Sequence, residues 1–490
     1  MSLTEQRPSA VSAALAKDRL GIPSVVFFVI SAAAPLMVVA GSVPTAYAVT
    51  SVIGVPFAFL LLGAIFALFA VGYVTMARHV VNAGAFYAYA AQGLGRTQGV
   101  ATAWVAVLAY NALQLGLYGI IGSAVEPLLA DWFGVSPAWW VIALVAWAVV
   151  GVLGLLRVDI NSRILSVLLV SEIAVVLLFD IGDLFHAAPG GISFEGFTPG
   201  SLFVPGVGAA LATVVAGFAG FESSVVFAEE SKDRNRTVPI ATYLGITIIA
   251  VLYAISAWAQ TVPTGPGGIV KAATEQGPVL IFNQASANLG STFSTIGSVL
   301  FVTSSIACMI AFHNTTARYI FALGRENVLP SVFGRTSART AAPIAGSVLQ
   351  TVLGLIVIVI YAISGADPVT KLFFTFGGFG GLGLLILLTV TSIAVIVFFT
   401  RNPSGETAWR TRIAPALSIV ALCVIIALTL LNFDTVLGVA PDAAIRWILP
   451  SIFIVAIVFG VVWARVLKSI KPEVYANIGL GAQAVSGGAK

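Results

Sequence analysis

Long apolar stretches separated by short polar ones recur along the whole chain. A helix that crosses a bilayer needs about 20 mostly apolar residues. Windows of that kind fall at 21–48, 52–76, 97–124, 137–156, 164–182 and 202–228. Six more fall at 239–261, 292–321, 342–363, 372–399, 413–431 and 446–465. The pattern predicts an all-α membrane protein with about 12 transmembrane helices. The Pro- and Gly-rich connection 262–291 predicts an outer lid with a short helix near 277–288. Residues 1–20 are polar, with Arg7, Lys17 and Arg19, and the apolar run that follows is too long for a signal-peptide core, so no cleaved segment is expected. Residues 472–490 read as a disordered tail.

Composition supports the membrane reading: 59% of residues are hydrophobic and 9% charged, whereas soluble domains carry roughly 25% charged residues. An even number of spans puts both termini on one side. With the N-terminus in the cytoplasm, only Lys271, Lys371 and Arg446 of the 24 Lys and Arg residues lie outside, among outer acids such as Glu126, Asp131, Asp183, Glu195, Asp434 and Asp442. Positive charge resists translocation, so the bias predicts cytoplasmic N- and C-termini in a plasma-membrane protein. It also accounts for the net charge of +4 without a nucleic-acid partner. Cys308 and Cys423 sit in apolar runs, and His79, His186 and His313 stand apart from one another. No disulfide framework, metal site or catalytic cluster is indicated. No Gly-Lys pair occurs, which excludes a phosphate-cradling ATPase loop.

Two spans are irregular. The first contains Ser31-Ala32-Ala33-Ala34-Pro35, and proline interrupts helical hydrogen bonding. The sixth contains Ala216-Gly217-Phe218-Ala219-Gly220-Phe221-Glu222, two glycines and an acid at membrane depth. Breaks at corresponding places in two halves point to a transporter binding site. Gly377 and Gly381 of the tenth span have the spacing of a tight helix contact, with gating as the alternative. Asn111, Gln114 and Tyr118 of the third span are candidates either to line the path or to bond neighbouring helices.

Several segments carry a resemblance in order: Asn82-Ala83-Gly84-Ala85-Phe86-Tyr87-Ala88-Tyr89 after span two; Gly217 to Glu222, Ala228-Glu229-Glu230-Ser231-Lys232-Asp233, Arg236 and Pro239 after span six; and Asn314, Arg318 and Ala322-Leu323-Gly324-Arg325-Glu326-Asn327-Val328-Leu329-Pro330 at the end of span eight. Together they resemble the amino-acid, polyamine and organocation transporter superfamily. The resemblance implies the leucine-transporter fold, an inverted repeat of five plus five helices with spans one and six broken: 21–182 for the first repeat, 202–399 for the second and 413–465 for two added spans. The chain departs from the family pattern at Asn82, where proline is usual, and at Ala32-Ala33-Ala34-Pro35, where glycines are usual. Ala216 stands where some arginine and agmatine antiporters carry a gating aromatic.

A broken helix exposes amides at one lip and carbonyls at the other, each end carrying about half a unit charge. Amides near Pro35 suit a carboxylate, and carbonyls near Ala216 to Ala219 suit an ammonium, so a zwitterion satisfies both. The small or apolar side chains Ala32, Ala33, Ala34, Phe218, Ala219 and Phe221 favour a neutral amino acid as substrate. Glu222 is a candidate for substrate contact or for a water-linked network. In family members that the segment from Arg163 resembles, a lysine nine residues on takes the place of a coupling cation; here that residue is Glu172, expected to face Thr303-Ser304-Ser305 and to couple transport to H+ or Na+. No cofactor is implied. The rival readings are a polyamine or cationic amino-acid carrier or exchanger, a channel, and a nutrient sensor that binds without transporting.

Overall fold

A computed structural model describes residues 21–80, 84–155, 162–226, 231–337, 340 and 342–480, except the side chains of 162–166 and 226. The expected N-terminal segment 1–20, motif residues 82, 83 and 228–230, the Arg163 side chain and residues 481–490 lie outside that description.

The chain is an all-α membrane protein. Among the described residues ten helices are long and apolar enough to cross a membrane: Ile22–Thr50, Val55–His79, Arg96–Phe133, Val207–Val225, Arg234–Ala259, Ser291–Arg325, Ile344–Ser364, Pro368–Arg401, Trp409–Leu431 and Ile445–Ile470. The expected fourth and fifth windows fall on two further helices, the shorter Trp139–Leu155 and Ser162–Phe185, which carries Glu172, Asp180 and Asp183. Counting these as spans four and five keeps all twelve in the expected order.

Span three runs on through Glu126 and Asp131, which the hydropathy pattern had put in a loop. Span five likewise runs on to Phe185, so Asp183 is not in an outer loop but in a helix, 2% exposed, where Asn288 Nδ2 donates to its carboxylate at 2.8 Å. The connection after span seven forms two helices, Ile269–Gln276 and Leu280–Leu289. The tail expected to be disordered is folded at its start: Pro472–Asn477 is a helix, and beyond it Ile478 is buried and the Gly479 amide donates to Glu326 Oε2 at 2.9 Å.

Spans three and six form the centre, each 89% buried along its most apolar stretch, whereas spans nine and twelve are 28% buried there. Outward-facing Val, Ile and Phe side chains on spans nine, eleven and twelve need no protein cover, because lipid is itself apolar. Span three lies against spans eight, ten and twelve, and span two along span seven. Glycine sets the closest approaches: a Cβ on Gly63 of span two would lie 2.4 Å from Ala250 Cβ of span seven. Of the two span-ten glycines, Gly381 is a packing residue, with room for a Cβ only 2.2 Å from the Ala212 carbonyl oxygen of span six. Gly377 has nothing within 4 Å of its Cβ position and opens on a cavity instead.

Candidate functional site

Span one breaks at a single residue. The helix Ile22–Ala33 ends where Ala34 turns left-handed (φ 46°, ψ 74°), and a new helix starts at Pro35, whose fixed φ suits a first helical position. Proline brings no N–H, and the first amide to reach back across the restart is that of Val38, to the Ala34 carbonyl. The Leu36 and Met37 amides are therefore left as donors at the lip. On the other lip, the Ala33 carbonyl accepts from Tyr253 OH at 3.0 Å, and the Ala32 carbonyl has the Cys308 thiol at 4.0 Å.

Span six breaks against the first break. The helix Val207–Phe218 stops, Gly220 takes φ 116°, and a short helix resumes at Ser223. A Cβ on Gly220 would lie 2.7 Å from Ala32 Cβ and 3.0 Å from the Ala32 carbonyl carbon, so the broken segments touch and glycine is needed there twice over. Glu222 belongs to the break itself: its Oε2 accepts from the Gly220 amide at 2.9 Å and its Oε1 from Tyr110 OH of span three. Tyr73 OH of span two donates to the Glu222 carbonyl at 3.0 Å.

Two cavities flank the touching breaks and share Ala32 and Phe312 as walls. The central one holds about 490 Å³ of empty space, its mouth included. It is lined by the expected Ala32, Ala33, Ala216, Gly217 and Ala219, and by Met37. The other holds about 710 Å³, lies toward the Arg325 end of span eight, and is lined by Gly220, Glu222, Tyr110, Thr315, Arg318 and Tyr319. Ser31, Ala34 and Pro35 line neither; they shape the break. Phe218 and Phe221, expected as cavity walls, turn the other way into a ring cluster on span two, with Phe66 centroids 5.0 and 5.3 Å from theirs. An aromatic ring gains more from edge and stacking contacts in a packed core than at a cavity wall.

Glu172 is buried beside the first break. Ser304 Oγ donates to its Oε2 at 2.8 Å, and the Leu36 amide at the lip also bears on the carboxylate. Thr303 is not part of this contact, since its hydroxyl bonds back to the Leu300 carbonyl at 2.9 Å. Ser305 Oγ is buried without a partner among the described residues. Gln114 and Tyr118 line neither of the two cavities. With His313, Ser347 and Gln350 they form a hydrogen-bonded network joining spans three, eight and nine, while Asn111 bonds its own helix at Val107.

The sequence reading missed Tyr110, Leu113 and Leu117 of span three, Thr213 of span six and Phe373 and Phe374 of span ten, all cavity-lining. The three span-three residues follow helical spacing, but the helix is apolar nearly all round and gives no polar contrast by which to choose a face.

A helical membrane protein with a cavity where two interrupted spans touch has the architecture expected of a carrier. The family profile described as amino acid permease matches residues 20–463, and the chain belongs to that family. It is similar to the low-affinity putrescine importer PlaP of Escherichia coli strain K12, 26% identical over 326 residues that cover 65% of this chain and 67% of the importer. It is also similar to the aspartate-proton symporter of Bacillus subtilis strain 168, 23% identical over 61% of this chain and 59% of the symporter. The methylthioribose transporter of the same strain is 24% identical over 53% of this chain and 52% of its own. The protein is thus a multi-pass membrane transporter of amino acids or organocations, and not an enzyme.

Proposed function

We propose that the protein is a proton-coupled carrier of small neutral amino acids, working by alternating access around the point where spans one and six touch. One observation carries the substrate class: among the described residues the central cavity is lined by small and apolar side chains and by none that is charged. A zwitterion there takes its charges from the backbone. Its ammonium meets the Ala32 carbonyl, whose one side-chain donor among the described residues is the Cys308 thiol at 4.0 Å, and the open carbonyl end of the helix Val207–Phe218. Its carboxylate meets the Met37 amide at the lip of the second half-helix. A diamine would need a second anion in the cavity, and the lining supplies none. Ala216 leaves no aromatic clamp for a long cationic side chain.

The coupling ion is a proton carried by Glu172. This carboxylate is buried, is held by a serine and a backbone amide, and forms no ion pair with a lysine or arginine among the described residues. Intramembrane acids are costly to keep and mark ion pathways. The site joins the amide lip of span one to span eight, so protonation of Glu172 releases the Leu36 amide and changes the contacts on which the break rests. The residues 21–182 and 202–399 form the two inverted repeats, with 413–465 outside them, in a plasma-membrane protein whose termini are cytoplasmic.

Uptake of labelled neutral amino acids into proteoliposomes tests this reading. A pH gradient of about one unit, coupled one to one, supports about a tenfold accumulation, since one unit of pH is about 1.4 kcal/mol. Glu172→Gln is expected to abolish that accumulation and to leave counterflow, which needs no net ion movement. Putrescine or aspartate competing better than every neutral amino acid would overturn the substrate class. Accumulation driven by sodium and not by pH would overturn the ion.

A further inference from the structure

The outer half of span five carries two more buried acids, Asp180 and Asp183, for which the transport site described so far has no use. They are 3% and 2% exposed. Asp180 Oδ2 accepts from Ser256 Oγ of span seven at 2.7 Å, and Asp183 Oδ1 from Asn288 Nδ2 at 2.8 Å. Among the described residues Asp180 Oδ1 has no partner, and the buried amide oxygens of Gln260 and Gln284 also lack donors. These two amides belong to the same junction: Gln260 follows Ser256 by one helical turn, and Gln284 Nε2 donates to the Gln260 carbonyl. Neither acid forms an ion pair with any lysine or arginine among the described residues. A proton on Asp180 would turn its unpartnered Oδ1 from an acceptor into a donor within this buried junction.

Position gives that proton a use. Eleven residues make three helical turns, so Asp183 stands on the same face of span five as Glu172, about 16 Å further out, with Asp180 between them at about 12 Å. The step from Asp180 to Glu172 is bridged on span seven. Ser256 touches Asp180, and Tyr253, one turn below it, places its hydroxyl at the break of span one, close enough to Glu172 to feel its charge.

We infer that Asp183 and Asp180 are a proton-entry path that loads Glu172 from the side of the membrane at which span five ends. The inference rests on Glu172 being the proton site. Asp183 takes a proton from water at the helix end, passes it to Asp180, and the Ser256 and Tyr253 hydroxyls hand it on. Each transfer breaks one O–H bond and makes another, and the net change is one proton moved from outside water to Glu172. The titratable groups facing this path are few. Asp180 and Asp183 face each other; His186, one turn beyond Asp183, bonds the Gly182 carbonyl through Nδ1; Tyr253 and Cys308 face Glu172. The helix Leu280–Leu289 brings no titratable side chain.

The test uses the full chain in proteoliposomes and two readouts, accumulation under a pH gradient and counterflow at equal pH. Asp180→Asn and Asp183→Asn are expected to lose the about tenfold accumulation, as Glu172→Gln does, and to keep counterflow; Asp183→Glu keeps both. If the asparagine variants accumulate like wild type while Glu172→Gln does not, the path is wrong and the coupling residue stands. If wild type accumulates with sodium and not with pH, the proton reading of Glu172 falls and the path falls with it. Should the asparagine variants lose counterflow as well, Asp180→Glu and Asp183→Glu decide. Restored accumulation supports the path, and counterflow restored without accumulation overturns it.

Discussion

Ala34 and Gly220 make the two breaks meet, and they do so by opposite means. Ala34 holds a left-handed conformation that an L side chain resists by roughly 1–2 kcal/mol, and it has a Cβ nonetheless. Ala34→Gly removes that strain but adds about 0.4–1 kcal/mol of unfolded-state entropy. The strain is the larger quantity, so the variant should melt at or above the wild-type temperature in detergent, with transport retained. A clear loss of stability would mean that the Ala34 methyl packs in a way its contacts do not reveal. Gly220 has no such latitude, because its φ of 116° is strained for any side chain and its Cβ position collides with Ala32. Gly220→Ala should cost about 2–5 kcal/mol, and the same thermal unfolding measurement reads it. The contrast is instructive about the sequence, where both breaks were legible because Pro35 and the two span-six glycines punctuate otherwise uniform helices. That a plain alanine, and not a glycine, carries the turn of span one was not legible, since alanine is the residue least expected to leave a helix.

Elements were readable wherever apolar length alone decides, and less so where side chains from elsewhere decide. Among the described residues twelve helices fall in the twelve apolar windows, ten of them long and apolar enough to cross a membrane. The end of span five does not follow from its window, because Asp183 looks like a loop residue until Asn288, over a hundred positions away, is seen to satisfy it. The cavity face of span three was hidden for a related reason: a helix buried on all sides shows no stripe. The segment after span twelve shows the same limit, since a short polar tail reads as disordered and yet docks. Tyr475 lies under Arg96 and Lys468, with cation-to-ring distances of 5.9 and 5.8 Å. Gly479, at φ 80°, sits where a Cβ would come 2.5 Å from Ala91 Cβ, and its carbonyl accepts from Gln92 Nε2 at 3.3 Å. The segment thereby ties the helix Ala85–Gly93 to Glu326 at the end of span eight, two elements that flank the cavity holding Glu222. Gly479→Ala combines strain with a clash and should lift the segment from its seat. Chymotrypsin cleavage after Tyr475 in the purified protein should then run faster than in wild type, and an unchanged rate would mean that Gly479 is not what holds the segment down.

At the scale of the whole molecule the open quantity is orientation, because the path through Asp183 loads protons from whichever side span five ends on. The charge asymmetry argues that this side is the outside. Each of the three cations that break the asymmetry has a partner. Lys371 Nζ donates to the Leu437 and Gly438 carbonyls at 2.8 and 2.9 Å. Arg446 pairs with Asp434 at 3.5 Å, and Lys271 with Glu275 at 3.8 Å. Lys371 and Arg446 thus serve a structural need where they stand, and the charge asymmetry read from the sequence rests on the 21 other basic residues, expected on one face. On that same face Glu406 gathers Arg78, His79 and Arg410, an acid placed among basic residues where the cytoplasmic surface is expected. Orientation can be read with single cysteines in a Cys308→Ser, Cys423→Ala background. Gly190 is exposed with nothing within 4 Å of its Cβ position, and Ser404 is exposed beside Glu406. Gly190→Cys should react in intact cells with a maleimide that cannot cross membranes, and Ser404→Cys should react only after permeabilisation. The reverse pattern would turn the molecule over, put the Asp183 mouth in the cytoplasm, and make the same column of acids an exit for protons rather than an entry.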